Sequence, residues 1–276
     1  MKKIFFLALS FLFFIQATSQ EVSLMTYNIR LDVASDGENA WPNRKEILLS
    51  QLKYFEPDIF GIQEGRPHQV NYINEELQSY NFVGQGRDGE GKGEYAALFY
   101  NSTKFILKKS GTFWISESPE IVSIGWDAAY PRVCTYGLFK GAKKKTYFWV
   151  FNTHLDHLGV QAREEGVKLI LREMKRLNIK NYPVVFMGDF NLEPESKPIL
   201  SVLETMNDSK NVSVLKPFGP QGTFNGFNYF ESQNRRIDYI FVSKNSSVQK
   251  YAVLNNSYNL KYPSDHFPVF VELLLN

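Results

Sequence analysis

One cysteine, Cys134, occurs in 276 residues, so no intramolecular disulfide can form. A chain above roughly 250 residues does not need one, because a single apolar core of that size holds a fold unaided. The 43% hydrophobic and 15% aromatic content supplies such a core, and Cys134 itself, in Arg132-Val133-Cys134-Thr135-Tyr136, reads as a small buried strand residue. An excess of charge of one sign is also missing. The formal net charge is +2, and removing Lys2 and Lys3 from the 31 basic side chains leaves 29 against 29 acidic ones. Proteins that hold polyanions by bulk charge carry a basic tail or face; with neither present, anion binding has to come from a focused local site. Long apolar runs are absent as well, with one exception. Ile4 to Ile15 follows Lys2 and Lys3 and precedes Ala17-Thr18-Ser19. This run is shorter than the roughly 20 residues that cross a bilayer, and its order of charged, apolar and small residues is that of a secretory signal. The expectation is a signal peptide over 1–19, no membrane span, and a secreted or periplasmic chain over 20–276, monomeric and in one domain because no repeat, low-complexity tract or linker divides it.

Clusters of β-branched and aromatic residues predict strands at Val22–Asn28, Asp58–Gln63, Tyr95–Tyr100, Phe105–Ile115, Val133–Lys140, Thr146–Thr153, Val184–Gly188, Ile237–Val242, Val248–Leu254 and Phe267–Leu273. Helical spacing of apolar residues, helped by Pro67 in a first turn, predicts helices over Asn43–Phe55, Pro67–Leu77, Val160–Leu177 and Ser196–Met206. So many strands with few helices, and a long strand-rich middle, argue against simple βαβ alternation. They fit an α+β chain folded as a four-layer αββα sandwich, two packed mixed sheets with helices outside.

Polar clusters follow several of the apolar runs in the same way: Thr26-Tyr27-Asn28-Ile29-Arg30, Ile62-Gln63-Glu64, Asn152-Thr153-His154-Leu155-Asp156-His157, Gly188-Asp189-Phe190-Asn191 and Ser264-Asp265-His266. Each alone is an ordinary turn or surface group; together they read as strand ends converging on one site. Glu64 with the Asn28 carboxamide is a hard-oxygen set suited to Mg2+ or Mn2+. Asp189 and Asn191, two apart, share one side of an extended backbone, where the first can orient or deprotonate a water and the second donate to developing negative charge. The His154/His157 pair has zinc-like spacing, but no cysteine is near and further ligands would be needed, so His154 reads better as a phosphate contact. Asp238, in Arg235-Arg236-Ile237-Asp238, can orient the His266 imidazole. A serine-hydrolase site is excluded because no Gly-x-Ser-x-Gly occurs.

The ordered set Asn28, Glu64, His154, Asp189 with Asn191, Asp238, and Asp265 with His266 resembles the endonuclease/exonuclease/phosphatase superfamily over nearly the whole mature chain. The resemblance implies a DNase I-like sandwich, one or two Mg2+ (or Mn2+) ions, and phosphoester hydrolysis by in-line water attack. By it, Glu64, Asn28 and Asp265 serve the metal, Asp189 and His266 the proton transfer with Asp238 behind the imidazole, and His154 and Asn191 the phosphate. Arg30, Tyr95 and Arg132 are further candidates for substrate contact. Thr26 to Asp32, Trp41-Pro42-Asn43-Arg44, Phe113 to Pro119 and Gly222 to Phe227 resemble an exported bacterial branch. The lead-in Pro-x-Trp-x-Asp-Arg of inositol polyphosphate phosphatases is missing before Asp238, as are the apolar hairpin and cysteines of secreted sphingomyelinases. The substrate is expected to be a phosphorylated small molecule or a nucleic acid, with a non-catalytic phosphate-binding module as the remaining alternative.

Overall fold

In the computed structural model, residues 20–275 are described; the expected signal segment, 1–19, lies outside them. In chain order the strands are β1 (Gln20–Asn28), β2 (Ile59–Gln63), β3 (Tyr80–Val83), β4 (Leu98–Asn101), β5 (Phe105–Trp114), β6 (Val133–Gly141), β7 (Tyr147–His154), β8 (Val184–Asp189), β9 (Met206–Asp208), β10 (Asp238–Ser243), β11 (Ser247–Val253) and β12 (Val269–Leu275). The helices are α1 (Trp41–Phe55), α2 (Pro67–Glu76), α3 (Val160–Leu177) and α4 (Lys197–Thr205), with a 3-10 segment at Ala34–Asn39. Two six-stranded sheets form, in the orders β11-β12-β1-β2-β4-β3 and β5-β6-β7-β8-β10-β9. Both are mixed: β1 runs parallel to β2 and β7 parallel to β8, while the other pairings are antiparallel.

Alternation of side chains along the central strands explains why both faces of each sheet are covered. Leu24, Ile59, Val185, Met187 and Ile240 point between the sheets and pack with Phe139, Phe148, Val269 and Val271. Their neighbours Met25, Tyr27, Phe60 and Ile62 point the other way, onto Leu48, Leu52, Val70 and Ile73 of α1 and α2. On the second sheet Phe151, Phe186, Tyr239 and Phe241 meet Val167, Ile170 and Met174 of α3 and Ile199 and Val202 of α4. The result is the expected αββα sandwich, with every residue from Phe148 to His154 and from Val185 to Asp189 buried. Fully burying each such side chain contributes roughly 2–3 kcal/mol, which is how the fold stands without disulfides; Cys134 is free and buried.

Strands β3 and β9, four and three residues long, go beyond the sequence expectation. Both lie at sheet edges, where pairing with one neighbour suffices and little periodicity is required. Elsewhere the predicted elements form with end shifts of a few residues; α3 keeps its bounds.

A polar bridge crosses the core near one end of the sandwich. Asn152 of β7 donates through Nδ2 to the carbonyls of Ile62 (3.0 Å) and Ala97 (2.9 Å) and accepts at Oδ1 from Gln63 Nε2 at 2.7 Å. Gln63 also donates to Thr26 Oγ1 at 3.0 Å, so three buried polar side chains clamp the two sheets together. Gly61 makes room for the bridge: a Cβ there would lie 2.6 Å from Asn152 Cγ. Among the described residues no helix is long and apolar enough to cross a membrane.

Candidate active site

The site gathers at the end of the sandwich where the parallel strands finish. Asn28 ends β1, Glu64 follows β2, His154 ends β7 and Asp189 ends β8. Because β10 is antiparallel to β8, its first residue pairs directly with the last of β8, Asp238 opposite Asp189. In the same way Asp265 and His266 precede β12, which runs antiparallel to β1. Each strand stops by a local device. Arg30, Glu64 and Asn191 adopt left-handed backbone with φ of 54°, 64° and 50°, a conformation that breaks the pleat and, for side chains larger than Asn, is uncommon outside functional sites. Gly188, with φ of 143°, lets β8 pass so close to β7 that a Cβ would lie 2.0 Å from the Thr153 carbonyl oxygen.

Hydrogen bonds then set the orientation of each group. Asn28 donates from Nδ2 to Glu64 Oε1 at 3.0 Å and to Asp189 Oδ2 at 2.9 Å, while its Oδ1 accepts from the Arg30 amide at 3.0 Å. A backbone N–H on one side and two carboxylates on the other fix the amide in this sense. Asn28 therefore faces the site with its nitrogen, bridging the two carboxylates, where the sequence suggested a ligand oxygen. Asp189 accepts at Oδ1 from the Asn191 amide at 2.9 Å. Asn191 Nδ2 lies 3.1 Å from His154 Nε2, which is in turn 3.5 Å from Asp189 Oδ2. His266 Nδ1 sits 2.9 Å from Asp238 Oδ2, and its Nε2 lies 3.8 Å from Asp189 Oδ2. Thr223 completes the row: its hydroxyl donates to Asp238 Oδ2 at 2.5 Å and accepts the amides of Ile237 and Asp238 at 3.1 Å.

Two buried histidines acquire opposite charge states. Burial, reinforced by Arg132 and His266, pushes His154 well below the usual imidazole range. It is thus neutral, and accepting from Asn191 Nδ2 puts its proton on Nδ1. For His266, burial works against the charge, but Asp238 and then Asp189 overcome it and raise the ring from 6.5 to about 10. Burial, and next Asp238, raise Asp189 from 3.8 to about 7, against the opposing pull of His266 and Asn28. Asp265 is also pushed up by burial, opposed first by His266; its Oδ2 faces Arg30 Nη1 at 3.7 Å.

Glu64, His154, Asp189, Asn191 and His266 form the floor of a cavity of about 720 Å³, to which Arg30, Arg132 and Asp265 also contribute, while Asn28 and Asp238 bond to the floor without lining it. Tyr95 does not line it; its hydroxyl donates to the Gly91 carbonyl at 3.3 Å, and it borders a small recess beside His154. Arg132 is held by Asp156 (3.3 Å) and by His157 Nδ1 (3.0 Å), so His157 braces an arginine, and it belongs to neither group of potential metal ligands among the described residues. The walls add Arg66, Arg87, Glu94, Tyr130, Phe224 and Arg235; Phe224 and Arg235 fall within segments singled out in the sequence, but none of the six was named there as a site residue. A usable signal existed for two of them: Arg87 and Glu94 flank Gly89, Gly91 and Gly93, all with positive φ, a turn dense enough in glycine to announce a shaped loop. Arg44 ties the loops behind the floor, donating to the carbonyls of Ile29 (2.5 Å), Arg30 (2.7 Å) and Pro263 (3.2 Å).

Glu64, His154 and Asp189 offer ligand atoms all within 4.8 Å of one another, and a second such group comprises Asp189, Asp238 and His266. The second is already satisfied as an imidazolium between carboxylates. The first, two carboxylates and a neutral imidazole opening on the cavity, fits a hard divalent cation that keeps several of its waters.

The model of the Endonuclease/Exonuclease/phosphatase family matches residues 25–266. The chain belongs to this family. The family match spans every residue of the site, from Asn28 to His266. A Bacteroides thetaiotaomicron endonuclease/exonuclease/phosphatase family protein is 36% identical, with a TM-score of 0.89 covering 94% of this chain and 99% of that one. A mannosyl-6-phosphatase of the same organism is 37% identical, with a TM-score of 0.88 over 91% of this chain and 99% of that one. A probable RNA exonuclease of Saccharomyces cerevisiae is 28% identical over 205 residues, 67% of this chain but 40% of that protein's length. The chain is thus a member of a hydrolase superfamily whose relatives include both phosphatases and nucleases.

Proposed function

We propose that the protein is an exported, divalent-metal-dependent phosphoesterase that releases phosphate from a small phosphorylated alcohol by in-line attack of water. The observation that carries this reading is the floor itself, where Glu64, His154, Asp189, Asn191 and the Asp238–His266 pair converge beneath one cavity. The likeness to a mannosyl-6-phosphatase supports a monoester of a sugar. Export rests on the signal-like segment over 1–19.

Glu64, with Asp189 and His154 within reach, would hold Mg2+ or Mn2+, and the bound cation supplies charge stabilisation to the phosphate and the leaving oxygen. Asp189, held in place by its 2.9 Å bond from Asn28 and its bond from the Asn191 amide, accepts a proton from the attacking water, and the departing alkoxide takes its proton from solvent. His266 keeps its proton and donates from Nε2 to a phosphate oxygen, so the two carriers that the sequence left interchangeable divide into base and charge stabiliser. Asn191 Nδ2 offers a second donor. Neutral His154 carries its proton on Nδ1 and leaves Nε2 for the cation or Asn191.

A nuclease reading has the yeast relative in its favour. Against it stands the balanced charge of 29 basic and 29 acidic side chains in the mature chain, which supplies no bulk basic excess to hold a polyanion. Turnover of mannose 6-phosphate, single-stranded RNA and duplex DNA by the mature protein decides between them. Activity on the sugar phosphate is expected to vanish with a chelator and return with Mg2+ or Mn2+. Full activity in chelator overturns the metal role; RNA or DNA hydrolysis with no sugar phosphate turnover overturns the substrate.

A further inference from the structure

We propose that Arg87, Glu94 and Tyr130 form the subsite for the alcohol half of the substrate and select a polyhydroxylated leaving group; this rests on the phosphomonoesterase reading above. All three line the same cavity as Glu64 and His154. Arg87 Nη1 and Glu94 Oε2 pair at 2.8 Å, with 14% of each side chain exposed, and the Arg87 amide donates to the Glu94 carbonyl at 2.9 Å. The glycine-rich turn between them brings the two together, and Trp114 Nε1 anchors the turn by donating to the Arg87 carbonyl at 2.7 Å. The Arg87 guanidinium lies 4.8 Å from the centre of the Tyr130 ring, which stacks on His157 with centroids 6.2 Å apart and planes 14° from parallel. This wall is pre-shaped, which lowers the ordering cost of binding.

Its unused polar capacity defines what it takes. Glu94 uses Oε2 on Arg87, leaving Oε1 able to accept. An acceptor carboxylate beside a donor guanidinium matches hydroxyl groups, which both donate and accept. A ligand that lacks hydroxyls leaves Glu94 Oε1 desolvated without a donor, the situation in which sites discriminate most strongly.

The test compares mannose 6-phosphate with cyclohexylmethyl phosphate, a phosphomonoester of similar ring size without hydroxyls. Wild-type protein should prefer the sugar phosphate in kcat/KM by on the order of a hundredfold. Glu94→Gln should cut that preference at least tenfold, mainly through KM for the sugar; Tyr130→Ala, at a half-exposed position where folding is tolerant, should reduce it in the same direction. An unchanged ratio in both variants overturns the subsite, as does wild-type protein that hydrolyses the two esters equally well, which leaves the phosphomonoesterase reading intact. Wild-type protein that hydrolyses neither ester while degrading RNA overturns the phosphomonoesterase reading and the subsite with it.

Discussion

Asp238→Asn isolates the electrostatics of the site from its shape. Asparagine has the volume of aspartate, and its oxygen can still accept from His266 Nδ1 and Thr223 Oγ1, which share Asp238 Oδ2 at 2.9 and 2.5 Å. Its amide nitrogen would fill the position of Oδ1, which is buried and has no partner. The charge is lost, and a buried amide donor without an acceptor is added, which costs stability rather than shape. Lifting an imidazole from 6.5 to about 10 corresponds to about 5 kcal/mol of preference for the protonated ring. Burial opposes that preference, so the carboxylates must supply more than the net effect, and Asp238 contributes most of what raises it. Without its charge, burial acts against Asp189 alone and the ring falls back toward the ordinary imidazole range or below it. At pH 8 the variant then presents a neutral ring to the phosphate, and losing a charged donor to the transition state lowers turnover on the order of 10²–10³-fold, about 3–4 kcal/mol. Two measurements check this: the His266 ring titration by NMR, and kcat/KM for a phosphomonoester between pH 5.5 and 9.5 at saturating Mg2+. The variant should keep more of its activity at the acidic end and lose it through the neutral range. Superimposable pH profiles, with His266 still protonated at pH 8, would refute the assignment of Asp238 as the source of the charge.

Asp189→Asn should remain folded, with unchanged circular dichroism, and lose at least about a hundredfold in turnover; a variant with near-normal turnover removes Asp189 as base, and a wild-type chain with no turnover at all points instead to a binding module. In cation-free buffer, stability should fall as pH rises from about 6.5 to 10. Both shifts act in that direction: the folded His266 holds its proton up to about 10 and so loses its contribution across that window, and Asp189, with a folded value near 7 against 3.8, has lost its own by about pH 7. Thermal melts that are flat or rise over this range contradict the picture. Gly61→Ala should cost about 2–4 kcal/mol in urea unfolding, because the new methyl would sit 2.6 Å from Asn152 Cγ and displace the bridge between the sheets; a loss below about 1 kcal/mol would show that the bridge is not needed.

The sandwich was legible in the sequence because its central strands alternate under two separate constraints. Val185 and Met187 face one core and Phe186 the other, so β8 reads as a continuous apolar run, and β1, β2 and β7 do the same. The floor was legible for a related reason: each of these strands ends on a polar side chain, and parallel pairing of β1 with β2 and of β7 with β8 places those ends together. Antiparallel β10 and β12 bring in Asp238 and His266 from their starts, which is why a set ordered Asn28, Glu64, His154, Asp189, Asp238, His266 in sequence is one cluster in space. What the sequence could not give is whatever depends on loop geometry. Asn28 turned its nitrogen to the carboxylates because the Arg30 amide claimed its oxygen, a choice made by one left-handed residue. Thr223, 15 residues before Asp238 in sequence, holds it because the Gly222–Gly226 segment pairs back onto His266 and Phe267. Arg87, Glu94 and Tyr130 meet through a glycine turn and an irregular loop, with no periodicity to mark them. The division has a physical basis and a functional consequence. The proposed reaction chemistry sits on strand ends whose register the two cores enforce, whereas the residues proposed to choose the leaving group sit on loops that can change without disturbing either core.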